Sequence, residues 1–243
     1  MSKNIKSLTK KILISGEIEV LTGIMIGGGN NAMGIGGPDK LVVRNPLTNH
    51  PYLPGSSLKG KMRSLLEISN GQIGYNPEAT TVRHTPSSNP EHISVQLFGN
   101  ASGGNKIEEQ RPSRVIVRDA KLKNHVELEK ANTDLPYTEA KTEVVIDRIT
   151  SGASPRTFER VPAGAIFEMN IVLNVFEEDI NYLPQLYNCL HLVQDDYLGG
   201  SGSRGYGQVK FTIKSVTERT NKFYHGEEEE KSLDLNTVPK DLR

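Results

Sequence analysis

Residues 198–207 read Leu-Gly-Gly-Ser-Gly-Ser-Arg-Gly-Tyr-Gly, five glycines in ten positions with Arg204 as the one charge and Tyr206 as the one ring. Gly200, Gly202 and Gly205 spell G-x-G-x-x-G, the fingerprint of dinucleotide-binding folds. That fingerprint works only when a strand precedes it and a helix opens after it. Here the order is inverted. Residues 181–193 carry a helical apolar period, and residues 208–214 (Gln-Val-Lys-Phe-Thr-Ile-Lys) alternate as a strand does. A doubly wound cofactor domain is therefore excluded, and a glycine-rich loop joining a helix to a final strand remains. A tight connection would account for one or two glycines. Five point to a backbone that another chain approaches closely, with N–H groups suited to anions.

The elements upstream complete a pattern. Residues 12–20 mix β-branched side chains with partial alternation and predict a first strand. Residues 21–39 form a second glycine-rich region, with Asp39 as its single acid. Residues 41–44 predict a short strand. At 56–67 the apolar positions Leu58, Met62, Leu65 and Leu66 share one helical face, Ser56 or Ser57 is placed to cap the helix, and Lys59 and Arg63 are neighbours on another face. Gly55 to Lys61 also fit G-x-x-x-x-G-K, but Met62 stands where a magnesium-binding Ser or Thr belongs, which argues against a nucleotide triphosphatase. Exposed N–H groups at a helix start, beside hydroxyls and cations, still suit phosphate oxygens; a capped helix with a solvated basic face is the plain alternative.

Residues 70–113 read as an insertion rich in turn formers, anchored by Gln96-Leu97-Phe98-Gly99. His84 and His92 fall in it without a third nearby metal ligand. Residues 114–121 predict a strand. Residues 135–165 predict a long hairpin, too charged for a core, and residues 166–176 a further strand. The order is β-α-β-β-α-β, an α+β arrangement of the ferredoxin-like or RRM-like kind, over residues 11–69, 114–121 and 166–215 of a single 1–243 domain. Residues 218–243 read as a polar tail.

Composition narrows the function classes. Twenty-nine basic and 29 acidic residues give zero formal net charge, against bulk electrostatic gripping of free nucleic acid but compatible with a local basic stripe. With one cysteine, Cys189 in an apolar helical stretch, there is no disulfide framework. No apolar run reaches membrane-spanning length, so a cytoplasmic setting without membrane contact is expected.

Several segments together carry a resemblance. They are Ile26-Gly27-Gly28, Pro54-Gly55-Ser56-Ser57-Leu58-Lys59-Gly60-Lys61-Met62-Arg63, Leu97-Phe98-Gly99-Asn100, Val117-Arg118-Asp119-Ala120, Ile146-Asp147-Arg148-Ile149-Thr150 and residues 198–207. In order, over residues 12–211, they resemble the RAMP superfamily, and within it the repeated backbone subunits of type III-A CRISPR (Csm) effector complexes. The resemblance implies a modified ferredoxin-like core with an inserted lid at 70–113 and a projecting thumb at 135–165. It implies stacking of several copies along a CRISPR RNA beside other Csm subunits, with complementary target RNA cut once per copy. The thumb would kink the guide–target duplex at regular intervals.

The resemblance further implies that Asp39 is the catalytic residue and the holder of a divalent metal, Mg2+ being the natural candidate. It assigns RNA contacts to Ser56, Ser57, Lys59 and Arg63 at the helix start, Arg148 on the thumb, and Gly200, Ser201 and Arg204 on the glycine-rich loop. Relatives commonly carry a histidine where this chain has Met25. Asp119, Glu139 and Glu159 are expected to be structural or to face a neighbouring subunit. A non-catalytic scaffold of the same kind and a RAMP-type precursor-RNA processing endonuclease are the alternatives.

Overall fold

The computed structural model describes residues 7–27, 41–100, 111–177 and 179–243. In chain order its elements are β1 (Leu8–Val20), β2 (Tyr52–Leu53), α1 (Gly55–Ser69), β3 (Gly74–Tyr75), β4 (His84–Thr85), α2 (Ile93–Phe98), β5 (Val115–Val117), β6 (Ala120–Lys121), α3 (His125–Glu129), β7 (Glu139–Ile146), β8 (Ala153–Arg160), β9 (Ile166–Phe176), α4 (Leu183–Asp195), β10 (Val209–Thr220), α5 (Asn221–Tyr224) and β11 (Lys231–Ser232). A mixed α/β fold is built on one antiparallel sheet in the order β11-β10-β1-β9-β5.

Alternation puts one face of that sheet in the core. Ile12, Ile14, Ile18 and Val20 of β1, Phe167, Met169, Ile171 and Leu173 of β9, and Val209, Phe211 and Ile213 of β10 are buried together. Leu58, Met62 and Leu66 of α1 and Leu186, Cys189, Leu190 and Val193 of α4 close over them. Cys189 is a core thiol, pushed up to about 12 by burial. The parity of β10 changes once. The register shifts where Ser15 pairs Ser215 and Gly16 pairs Ile213, so Lys214 is the extra residue of a bulge and Val216 returns to the core face. For that reason alternation read along the sequence stops at 214, whereas the strand runs to Thr220.

Three expected elements come out differently. Residues 41–44 do not form a strand; they make only isolated bridges, Val42 with Gly27 and Arg44 with Pro51. Residues 114–121 do not form one strand. β5 lies in the main sheet, and after a break at Arg118 and Asp119 β6 pairs with β2, while Leu122 and Lys123 rejoin β9 through a bridge to Phe167 and a bond to the Ile166 carbonyl. The break is where α1 begins: the Asp119 Oδ1 accepts the Gly55 N–H at 2.8 Å, and a Cβ on Gly55 would lie 2.2 Å from the Val117 carbonyl oxygen. Asp119 therefore serves the start of α1. Ser56 and Ser57 sit inside the first turn, after Pro54 at the cap position, so the cap expected from them is absent.

The C-terminal segment is not a polar tail. β11 pairs with Thr217 and Glu218 of β10, and the chain then returns across α4, with Val238 and Leu242 fully buried and Leu233 and Leu235 packed on the core. His191 of α4 meets the Asp241 carboxylate at 2.7 Å. Four apolar residues in a polar context suffice because each docks on a prebuilt surface.

The hairpin β7–β8 stands apart as its own two-stranded sheet, with Val144, Val145, Ile146 and Ile149 exposed towards its end. Its base is fastened to the core by a buried carboxylate. Glu159 accepts from the Val42 N–H (2.8 Å), the Arg44 guanidinium (2.6 Å) and the Thr138 hydroxyl (2.6 Å). Three hydrogen bonds, one of them from a cation, make a charge at 2% exposure tolerable. Arg160 pairs with Glu139 across the same base. Glu159, Glu139 and Asp119 are thus engaged within the chain itself.

Replacing Leu242 with alanine is expected to lower stability by about 2–4 kcal/mol, as for other fully buried leucines. The urea midpoint measures it; an unchanged midpoint would mean that the C-terminal segment is solvated after all.

Candidate nucleic-acid interface

Three backbone segments converge beside α1. Residues 21–27 leave β1 and run between the hairpin base and the glycine-rich loop. Ile24 exchanges both backbone bonds with Val161 (2.8 and 2.9 Å), while the Gly200 N–H donates to the Met25 carbonyl at 2.8 Å and the Gly207 N–H to the Gly23 carbonyl at 3.1 Å. Between this seam and the first turns of α1 lies an open trough of about 440 Å3, lined by Met25, Ile26, Gly27, Ser56, Ser57, Gly60, Lys61, Leu198, Gly199 and Gly200. The helix start and the glycine-rich loop, 140 residues apart in sequence, form one concave surface.

The glycines have a reason that the sequence did not display. A Cβ would lie 2.4 Å from the Met25 carbonyl oxygen at Gly199, 2.0 Å from the Tyr197 ring at Gly202 and 2.1 Å from the Leu198 carbonyl oxygen at Gly207. Close packing of the loop on its own protein therefore fixes these positions, and the N–H groups of Gly200 and Gly207 are bonded internally. What the loop gives a ligand is shape, since Gly199 and Gly200 add no side chain of their own to a wall that Met25, Ile26 and Leu198 also line.

The sequence-derived site residues divide into two groups. Ser56, Ser57 and Gly200 line the trough. Ser201 adjoins it in a left-handed conformation (φ 60°). Lys59 and Arg63 do not line it: the Lys59 ammonium donates to the Ser113 hydroxyl at 2.7 Å, and Arg63 bonds Glu67 (2.9 Å) and the Ser87 carbonyl (2.8 Å). Burial, with the Arg63 charge beside it, holds Lys59 below its usual range. At about 100° per residue, positions 56, 57, 60 and 61 share a face, and 59 and 63 fall on its flank. Lys61, passed over as a site residue by sequence reasoning, is the cation at the trough. It pairs with Asp196 at 2.7 Å and lies 3.6 Å above the centre of the Tyr197 ring. Helical spacing from Ser57 (i, i+4) was the signal available for it.

Arg204 pairs with Glu143 of β7 at 2.7 Å, tying the glycine-rich loop to the hairpin. Tyr206 strengthens that tie. Its ring is flanked by Lys141 (4.4 Å) and Arg160 (4.9 Å), and burial, with the Glu143 carboxylate beside it, pushes its hydroxyl up to about 12. Arg148 sits in the exposed turn at the hairpin end, roughly 25 Å of strand away from the base. There the Asp147 carboxylate accepts the Ile149 and Thr150 N–H groups. Asp39 lies outside the described residues. The described flanks of its segment, Gly27 and Val42, are bridged to each other at the trough, and Val42 is held by Glu159.

Among the described residues, no three His, Cys, Asp or Glu side chains come together as metal ligands. Near the trough stands the Asp196 carboxylate, already paired with Lys61. This donor set does not complete a coordination shell, so an ion at this position would draw most of its ligands from water and a bound polymer. No helix among the described residues is long and apolar enough to cross a membrane.

This arrangement has known counterparts. The model of the RAMP superfamily matches residues 17–210. The chain belongs to the RAMP superfamily. Among curated RAMP relatives, one from Enterococcus italicus named CRISPR system Cms endoribonuclease Csm3 is 40% identical over 214 residues, covering 85% of this chain and 92% of the relative. Another of the same name, from Methanothermobacter thermautotrophicus, is 35% identical over 249 residues, covering 94% and 98%. Among solved structures, a Csm3–Csm4 subcomplex of the type III-A CRISPR-Cas interference complex contains a chain 29% identical, with a TM-score of 0.59 and coverage of 97% of this chain and 96% of that one. The trough thus belongs to a RAMP fold that its relatives share over nearly their whole length.

Gly199 (φ +86°) and Gly205 (φ +82°) separate packing from conformational preference, because a Cβ at Gly205 meets nothing within 4 Å. Gly205→Ala is expected to cost about 1 kcal/mol, from the left-handed backbone alone. Gly199→Ala should cost clearly more and should displace residues 198–200 from Met25. Thermal melting of both variants checks it; equal losses would remove the close approach as the reason for glycine.

Proposed function

We propose that this chain is an RNA-binding backbone subunit of a type III-A CRISPR (Csm) effector complex and the endoribonuclease that cuts target RNA paired to the guide. The single observation that carries the reading is the shared trough of α1 and the glycine-rich loop. Ser56, Ser57 and Lys61 of α1 line one side of it and Gly199 and Gly200 the other, a shape suited to a sugar–phosphate backbone. Curated relatives called endoribonucleases, similar over 85% or more of this chain, support the activity. The Csm3–Csm4 subcomplex supports other Csm subunits as partners. The strand order β10-β1-β9-β5, with α1 and α4 as the crossovers, supports a modified ferredoxin-like core. Further copies of the chain would stack along the guide, each presenting its hairpin as a thumb.

Cleavage follows from positioning. A nucleotide bent out of the A-form stack by the hairpin presents its 2′-hydroxyl in line with the adjacent phosphorus. Attack transfers the 2′-hydroxyl proton to a base, forms the 2′-oxygen–phosphorus bond and breaks the phosphorus–5′-oxygen bond, and the expelled 5′-oxygen takes a proton from water, leaving a 2′,3′-cyclic phosphate and a 5′-hydroxyl. Asp39 is the proposed base or metal holder. A divalent ion such as Mg2+, when bound there, would offset charge on the phosphate. Met25 supplies no imidazole: it is buried, and its carbonyl and methyl are packed on Gly199 and Gly200. The chemistry is therefore assigned to the carboxylate and to geometry, which ranks a histidine-based processing endonuclease below this reading.

In the purified complex, Asp39→Ala should retain guide RNA and cut target on the order of 10²–10⁴ times more slowly, and chelation of divalent ions should stop cutting without releasing the guide. Cutting at unchanged sites and rate in the variant would refute the nuclease assignment.

Lys61→Ala should weaken guide binding regardless of sequence and lower its salt dependence by about one charge, while Arg63→Ala should leave the salt slope nearly unchanged. Filter binding at several salt concentrations distinguishes them; the reverse order would return the phosphate contact to the flank of α1.

A further inference from the structure

A second cavity lies on the other side of the α1 start. It measures about 400 Å3 and lies between the 45–52 loop and the 119–125 segment. His50, Tyr52 and His125 are the rings in its wall. His50 stacks on His125 with centroids 4.7 Å apart and planes at 26°, and Tyr137 meets His50 edge-on at 4.8 Å. Asn49, beside His50, has φ 58°, and Tyr137 has φ 64°, a left-handed conformation that Asn takes readily and a bulky side chain rarely. Lys121 stands at the rim, exposed, and forms no ion pair with another described residue. Asp119 joins this pocket to the trough. It lines the pocket, and its Oδ1 holds the Gly55 N–H one residue before Ser56 and Ser57 of the trough.

From this juxtaposition we infer that the pocket walled by His50 and His125, with Tyr137 set edge-on against His50, binds one nucleotide of the RNA lying in the neighbouring trough, with its base against the imidazoles and a phosphate against Lys121. The inference rests on the reading of the trough as an RNA channel and adds a subsite to it. Unstacked bases are held on aromatic or imidazole faces, and such stacking tolerates any sequence because every base has a π-face. A stacked imidazole pair and an exposed lysine beside a phosphate-suited trough match a nucleotide better than an apolar side chain, which would need neither Lys121 nor the two imidazoles.

The test uses the assembled complex with guides in which 2-aminopurine replaces single bases in turn. One position per copy should be quenched by the wild-type pocket and recover emission in the His50→Ala/His125→Ala variant, with the His50→Phe variant keeping the quench because it keeps a ring. An abasic site at that position should weaken guide retention about five- to tenfold in the wild-type complex and leave the double variant unaffected. Retained guide with identical emission at every position in both proteins would overturn the pocket while sparing the trough. Failure of the wild-type complex to hold guide RNA at all would instead bring down the trough reading and the pocket with it.

Discussion

The contact on which the interface depends is between two backbones. The Gly200 N–H reaches the Met25 carbonyl at 2.8 Å, and Gly199 lies so near the same carbonyl that a Cβ would come within 2.4 Å. Because no side chain separates them, the turn after β1 and the loop before β10 share one wall. Both belong to adjacent strands of the sheet, so the trough is placed by strand pairing itself, and α1 supplies the facing side. Such a wall holds its shape without depending on rotamers, which suits a polymer whose repeating unit is a phosphate.

The hairpin is coupled to that wall at three points. Glu159 pins Val42, Arg44 and Thr138; Ile24 and Val161 bridge; Arg204 and Tyr206 of the glycine-rich loop meet Glu143, Lys141 and Arg160. A two-stranded ribbon has little stability by itself. These attachments give it a fixed base, while its apolar end, with Ile149 almost wholly exposed, is left for contact with something outside the chain. A bend imposed on RNA by this ribbon would be transmitted to a trough rigidly joined to it.

Charge is distributed accordingly. The zero net charge conceals a set of internal pairs: Arg114 is bidentate to Asp179 (2.7 and 2.6 Å) and also bonds the Gln96 carbonyl, Arg63 pairs with Glu67, and Lys123 with Glu17. Arg114 and Arg63 hold elements together, and the burial of Asp179 and Glu67 makes these two cations poor candidates for contact with a ligand, while the Lys123–Glu17 pair lies at the surface. Lys61 differs in that its acid and its aromatic partner both lie at the trough, where a phosphate can compete for it.

The sequence by itself determined what is local or repetitive. The inverted order of helix, glycine-rich loop and strand argued against a cofactor fold; a mixed α/β arrangement of strands and two main helices, the apolar face of α1 and a charged hairpin were legible in periodicity and charge, and the motifs carried the RAMP resemblance. Tertiary structure decided which groups meet. It turned Lys59 and Arg63 towards the insertion and Lys61 to the trough, replaced the serine cap with Asp119 from 64 positions away, and seated Leu242 in the core. It also stacked His50 on His125 and set Tyr137 edge-on against His50. Periodicity reports how residues are arranged within one element, whereas these contacts depend on how elements are placed against each other, and that placement is set by packing over the whole chain.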